Sequence, residues 1–190
     1  MNFAAMMRPL ATDTVVCDTI APFTGFDATK FVGTWYEQMH VSDPQEPTSY
    51  QCETAQYYNL DSGAGTFKVY NSFQSPVFGF MTPRLGVHAD ASCDSNAACY
   101  VVFFGKTHEE PNLHIVDTDY DTYAINYNCD TELNRVYVWL NTRDPTPSDE
   151  LVSWMYERSL ELFPSFDYTT YDPRITQGSK CSYGDLPTTF

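Results

Sequence analysis

Basic residues are scarce in this chain: 10 Lys and Arg stand against 25 Asp and Glu, a formal charge of −15. Nucleic acid and anionic membranes are gripped through basic surface, so neither is expected as a partner. Long apolar runs are also missing, and none approaches the ~18 residues that a membrane-spanning helix needs. There is no Cys-x-x-Cys, and the four histidines are scattered, which removes the usual zinc signatures. His88, His108 and His114 read as solvated or core histidines, and His108-Glu109-Glu110 as a polar loop before Pro111; no metal site is assigned. Gly-x-Ser-x-Gly, a phosphate loop and His-Glu-x-x-His are all absent, so no catalytic residues are assigned and the chain reads as a non-enzyme. The lack of an Asn-x-Ser/Thr sequon argues against N-glycosylation. Met1 to Leu10 makes a poor signal peptide because Arg8 and Pro9 interrupt its short apolar stretch; if the protein is secreted, a mature or trimmed form is expected.

Aromatic residues are plentiful, with 14 Tyr and 13 Phe. They favour β structure and an interior able to line a pocket. Six cysteines, an even number, fit an oxidising, extracellular compartment, although spacing alone leaves their pairing open. Strand-like runs separated by turn residues cover 33–41, 52–60, 66–73, 77–89, 100–105, 113–117, 122–128 and 134–142. Pro83 interrupts the fourth. Eight strands at this spacing predict an all-β, up-and-down antiparallel barrel. One helix follows, with Thr146 as N-cap, Pro147 at the first helical position and Asp149 completing a capping box. Leu151, Val152, Met155, Tyr156, Ser159 and Phe163 give it one apolar face to lay on the outside of the barrel, and Pro164 stops it. The chain divides into an arm (1–26), the barrel plus helix (27–165) and a tail (166–190).

Three short segments carry a family resemblance: Phe31-Val-Gly-Thr-Trp-Tyr36, Thr118-Asp119-Tyr120, and Leu140-Asn-Thr-Arg143 before the helix. In this order and spacing they resemble the three motifs of the lipocalins, and within that family the apolipoprotein D and crustacyanin branch. The resemblance covers about residues 17–181. It implies the eight-stranded calyx with its external C-terminal helix. It pairs Cys17 with Cys129 and Cys52 with Cys181, which leaves Cys93 with Cys99. It makes Gly33, Trp35, Asp119, Tyr120 and Arg143 structural, with Arg143 packed across Trp35 at the closed end.

The resemblance also implies secretion and a carrier function: transport or storage of a small hydrophobic molecule in the calyx. Crustacyanin subunits carry a carotenoid such as astaxanthin; related branches hold a bilin such as biliverdin. A pigment is therefore the expected ligand. A colourless lipid, steroid or fatty acid, or a lipocalin-fold enzyme, is the alternative. No cofactor beyond that ligand is required. A polyene longer than one calyx would need two barrels, hence a homo- or heterodimer. Trp139 and Tyr57 match pocket positions of apolipoprotein D.

Strand alternation supplies the rest of the expected ligand-binding set. Counting back from Arg143 adds Asn141 and Tyr137 to Trp139. The third strand gives Phe67, Val69 and Phe73. The sixth and seventh give Leu113, Ile115, Tyr123, Ile125 and Tyr127. Glu37 and Met39 share the parity of Trp35.

Overall fold

The computed structural model describes residues 15–40, 49–165 and 174–185. After a short helix α1 (Ala28–Phe31) come β1 (Gly33–His40), β2 (Gln51–Asp61), β3 (Thr66–Gln74), β4 (Pro76–Val77), β5 (Phe80–Met81), β6 (Leu85–Cys93), β7 (Ala98–Phe103), β8 (Leu113–Thr118), β9 (Tyr123–Asp130) and β10 (Arg135–Thr142). Helix α2 (Asp149–Leu162) and a 3-10 turn (Gly178–Lys180) follow. Eight of the strands close into an antiparallel barrel in the order β1-β10-β9-β8-β7-β6-β3-β2, with β1 bonded to both β10 and β2.

Part of the acidic excess is spent on the turns. Asp61 Oδ1 accepts from the amides of Gly63 and Ala64, and Asp94 Oδ1 from those of Asn96 and Ala98. Asp119 Oδ1 gathers the amides of Asp121, Thr122 and Tyr123, and Asp130 Oδ1 takes that of Leu133. A short carboxylate that mimics a backbone acceptor fixes each hairpin. Hydrogen bonds from Thr122 and its neighbours outweigh burial at Asp119 and hold its carboxyl below the usual range.

The fourth expected strand resolves into two parts. Residues 76–81 form the small β4–β5 hairpin at the open end, and the barrel strand β6 begins only at Leu85. Pro83, without an N–H to donate, lies in the break. The helix also starts later than expected. Ser148, not Thr146, is its N-cap, its hydroxyl accepting from the Leu151 amide at 3.2 Å, so Pro147 stands outside the helix. Helix α2 lies across β9 and β10. Met155 and Phe163 are fully buried there against Ile125, Tyr127, Val138 and Leu140, each contributing roughly 1.5–3 kcal/mol. Arg158 ties the helix to β8 through Asp117 at 2.8 Å.

Three disulfides join Cys17 to Cys129, Cys52 to Cys181 and Cys93 to Cys99. The second anchors residues 174–185 along the seam between β1 and β2. The direct ladder there covers only Gly33–Tyr36 against Tyr57–Thr54. Beyond it, Gln177 Nε2 donates to the carbonyls of both Glu37 and Glu53 at 2.8 Å, and the Cys52 amide donates to Thr176 O. The tail thus completes hydrogen bonds that the two diverging strands cannot make to each other.

Candidate functional site

The closed end of the barrel is built from the motif residues. Trp35 is 1% exposed, and its Nε1 donates to Phe31 O at 2.9 Å. The Arg143 guanidinium lies 3.7 Å over the Trp35 ring. It donates to five backbone carbonyls: Tyr120, Thr34, Lys30, Phe31 and Val32. Burial pushes its pKa down to about 10, so the cation persists at neutral pH. Gly33, at φ +111°, has Arg143 Nη1 only 3.0 Å from where a Cβ would stand, so both its backbone angle and its lack of a side chain are needed. Tyr120 OH accepts from the Asp27 amide at 3.0 Å, which docks the chain entering α1 onto the β8–β9 turn.

Above this floor, cross-strand partners identify the inner wall, because residues opposite each other share a face. Trp35 pairs with Ala55, which pairs with Asn71; Tyr57 pairs with Val69, and Val69 with Ala89. Phe67 faces Ala91, and Ala91 faces Val101. Leu113 and Ile115 join from β8, opposite Cys99 and Asn126. Tyr57 packs against Phe31 at 5.1 Å and Phe67 at 5.6 Å. Burial, reinforced by the nearby charge of Glu37, pushes its phenol well above the usual range. Higher on the wall Trp139 and Tyr137 stack at 5.6 Å, and at the mouth Tyr50 stacks on Phe73 at 3.6 Å. Val77, Phe78, Phe80, Leu85 and Phe104 project into solvent around the loops of that open end.

Four expected calyx residues face the other way. Tyr123, Ile125 and Tyr127 pair with Thr142, Leu140 and Val138, on the outer face of the barrel. Tyr127 stacks on Phe163 at 4.5 Å, and Tyr123 meets Trp154 at 4.8 Å. Helix α2 covers that face and makes it apolar. The inward residues of β9 are Ala124, Asn126 and Asn128, opposite Asn141, Trp139 and Tyr137. Met39 is reversed by a β-bulge between Glu37 and Met39, after which it opposes Leu140. One extra residue in a strand inverts the parity of everything beyond it.

The same bulge brings His40 inward, opposite Trp139. Its Nδ1 is hydrogen-bonded to Glu37 Oε1 at 2.6 Å and lies 3.8 Å from Glu53 Oε1. Glu37 and Asn141 were expected in the wall; His40, Glu53 and Asn126 were not. Counting back by twos from Tyr57 reaches Glu53, so that signal was present in the sequence.

A barrel closed by this Trp–Arg floor, with an aromatic interior and one helix laid outside, is the setting for the family match. Residues 93–162 match the model of the lipocalin / cytosolic fatty-acid binding protein family. Insecticyanin-A of Manduca sexta is 31% identical over 131 residues, 65% of this chain and 67% of that protein. The chain belongs to the lipocalin family. Rat apolipoprotein D is 29% identical over 136 residues, 68% of this chain and 67% of its own length. The solved structure of insecticyanin superposes with a TM-score of 0.66 at 23% identity, covering 89% of this chain and 90% of that one. Lobster apocrustacyanin A1 gives 0.61 at 17% identity, covering 82% of each chain. Membership supports binding of a small hydrophobic ligand inside the lipocalin barrel.

Proposed function

We propose that this lipocalin is an extracellular carrier or store for a flat, conjugated hydrophobic molecule, a pigment of the carotenoid or bilin class, held in the calyx. The observation that carries the reading is the pair of aromatic stacks, Trp139 on Tyr137 and Tyr50 on Phe73, set above a closed floor. Flat aromatic walls favour a flat ligand over a flexible chain. The apolar rim at the open end suits entry of a ligand that avoids water. Three disulfides support an oxidising compartment, and all six cysteines are consumed in them, which supports binding rather than thiol catalysis.

Absorption spectroscopy of protein purified from its natural source tests the reading. A visible band should co-elute with the protein on gel filtration, and its shape separates a polyene from a tetrapyrrole. Protein carrying only the aromatic band, with a fatty acid or steroid in its lipid extract, would replace the pigment by a colourless lipid.

A further inference from the structure

The apolar side chains left in solvent are gathered at one end of the barrel. Connections in an up-and-down barrel alternate between its two ends. With the β8–β9 turn on the closed floor, the connections from β3 to β6 (75–84), β7 to β8 (104–112) and β9 to β10 (131–134) all stand at the open end. Among the described residues, eight large apolar side chains are exposed. Six of them, Val77, Phe78, Phe80, Leu85, Phe104 and Leu133, lie in or directly beside these connections, which is clustering and not the single scatter of an ordinary surface.

Two of the rings are held there against local preference. Phe78 is the first central residue of the two-residue turn between Val77 and Phe80. Phe104 holds the same place in the turn closed by the Lys106 amide donating to Phe103 O at 2.9 Å. Their φ angles are +50° and +53°. That place favours Asn, Asp or Gly, and a bulky side chain is strained in it. Neither ring gains packing within the chain, since Phe78 is 98% exposed and Phe104 91%. The same unfavourable choice, made twice at one end of the molecule, points to a partner that takes up both rings.

Charge selects the partner. Residues 75–83 carry no charged side chain, although the chain has a net charge of −15. The loop behind Phe104 presents Lys106, Glu109 and Glu110 to solvent, and Glu132 is exposed beside Leu133. A second copy docked mouth to mouth would set these carboxylates against their own copies, and an anionic bilayer would meet them with like charge. A zwitterionic headgroup layer offers an ammonium to each carboxylate and a phosphate to Lys106, with hydrocarbon beneath to take the rings. The rings also stand on separate loops, an arrangement that a fluid surface accepts without the shape matching a rigid partner needs.

We propose that the open end docks on a zwitterionic, phosphatidylcholine-type lipid surface, with Phe78, Phe80 and Phe104 inserted below the headgroups. Docked this way, the mouth faces the lipid, and the ligand of the reading above crosses between bilayer and calyx without entering bulk water. The docking itself does not depend on which ligand that is.

Flotation of the purified protein with phosphatidylcholine vesicles tests it. The wild-type protein should float with them, and mixed vesicles of phosphatidylcholine and phosphatidylserine should carry less of it, most clearly at low salt. Phe78→Asn with Phe104→Asn should lower partitioning by about 100-fold, about tenfold for each ring. The same pair should not lower Tm, because Asn suits both turn positions. Phe78→Trp with Phe104→Trp should keep the protein on the vesicles, and Phe80→Ser gives a second reading from a residue outside the strained positions. Wild-type protein that stays at the bottom of the gradient, or an Asn pair that floats as well as wild type, would overturn the inference. If that protein still carried a bound calyx ligand, the carrier reading would stand without the docking. Stronger flotation with the anionic vesicles would overturn the charge argument and the inference with it. A dimer in sedimentation that the Asn pair dissolves, with no flotation, would replace the lipid surface by a second copy of the chain.

Discussion

Arg143 and Trp35 form a single plug: the guanidinium stacks 3.7 Å above the indole while its nitrogens reach five carbonyls spread over α1, β1 and the β8–β9 turn. The planar fork, and not only its charge, holds these segments together. Arg143→Lys keeps the charge but loses the fork, so several partly buried carbonyls lose this donor. The expected cost is about 2–4 kcal/mol, or a fall in Tm of about 5–15 °C for a domain of this size. Thermal unfolding followed by circular dichroism measures it. A shift below about 2 °C would show that the plug is held by packing on Trp35 alone.

Tyr57 makes stability depend on alkaline pH. Its phenol is pushed above the ordinary value of 10 by burial and by Glu37. In the unfolded chain it ionises near pH 10 while in the folded chain it stays protonated, so the unfolded state binds fewer protons and folding stability falls as pH rises. The contribution is fully present below pH 10 and is lost progressively above it. Tyr57→Phe removes this term without removing the ring. Between pH 10 and 11 the variant should gain on the wild type by up to about 1.4 kcal/mol, read from urea unfolding at both values. A stability difference that does not change with pH would place the ionising phenol in contact with water.

The three disulfides should contribute unequally. Cys17–Cys129 and Cys52–Cys181 close sequence separations of 112 and 129 residues, whereas Cys93–Cys99 closes 6. Chain-entropy arguments give about 5 kcal/mol for each long bridge and about 2 kcal/mol for the short one. Double Ser variants of each pair, unfolded in guanidinium chloride, should rank in that order. Cys52→Ser with Cys181→Ser should in addition free the tail that bridges Glu37 and Glu53. Proteolytic nicking within 174–185, absent from the wild type, would register that release.

The barrel, the closed-end plug and the helix were legible in the sequence, because turn residues, motif spacing and helical periodicity are local signals. The inner wall was legible only where one face of a strand is apolar and the other polar. β3 has that pattern, with Phe67 and Val69 inside and Lys68 outside. β9 reverses it: its outward Tyr123, Ile125 and Tyr127 lie beneath α2, while its inward Asn126 faces the calyx. A rule that sends apolar residues inward fails where an external helix makes the outer face the drier one. β1 misled for another reason. Nothing in Glu37-Gln38-Met39-His40 marks the bulge, which becomes visible only in the pairing with β10, so the step from Trp35 to Glu37 by twos holds and the next step does not.

This difference between two adjacent strands gives the sharpest test of the assignment. Trp139 on β10 and Ile125 on β9 are both large and apolar, but Trp139 faces the calyx and Ile125 lies in the fully buried layer under α2. Ile125→Ala should cost about 2–5 kcal/mol of stability and leave the affinity of the folded protein for its ligand within about twofold, since nothing on the calyx wall is removed. Trp139→Ala should do the reverse: a smaller loss of stability, because the residue is only partly buried, and a loss of ligand affinity of about tenfold or more. Denaturation curves and ligand titrations on the two variants separate the effects. If Ile125→Ala were the variant that lost ligand, the binding site would lie between helix and barrel, and the calyx would be a packed core.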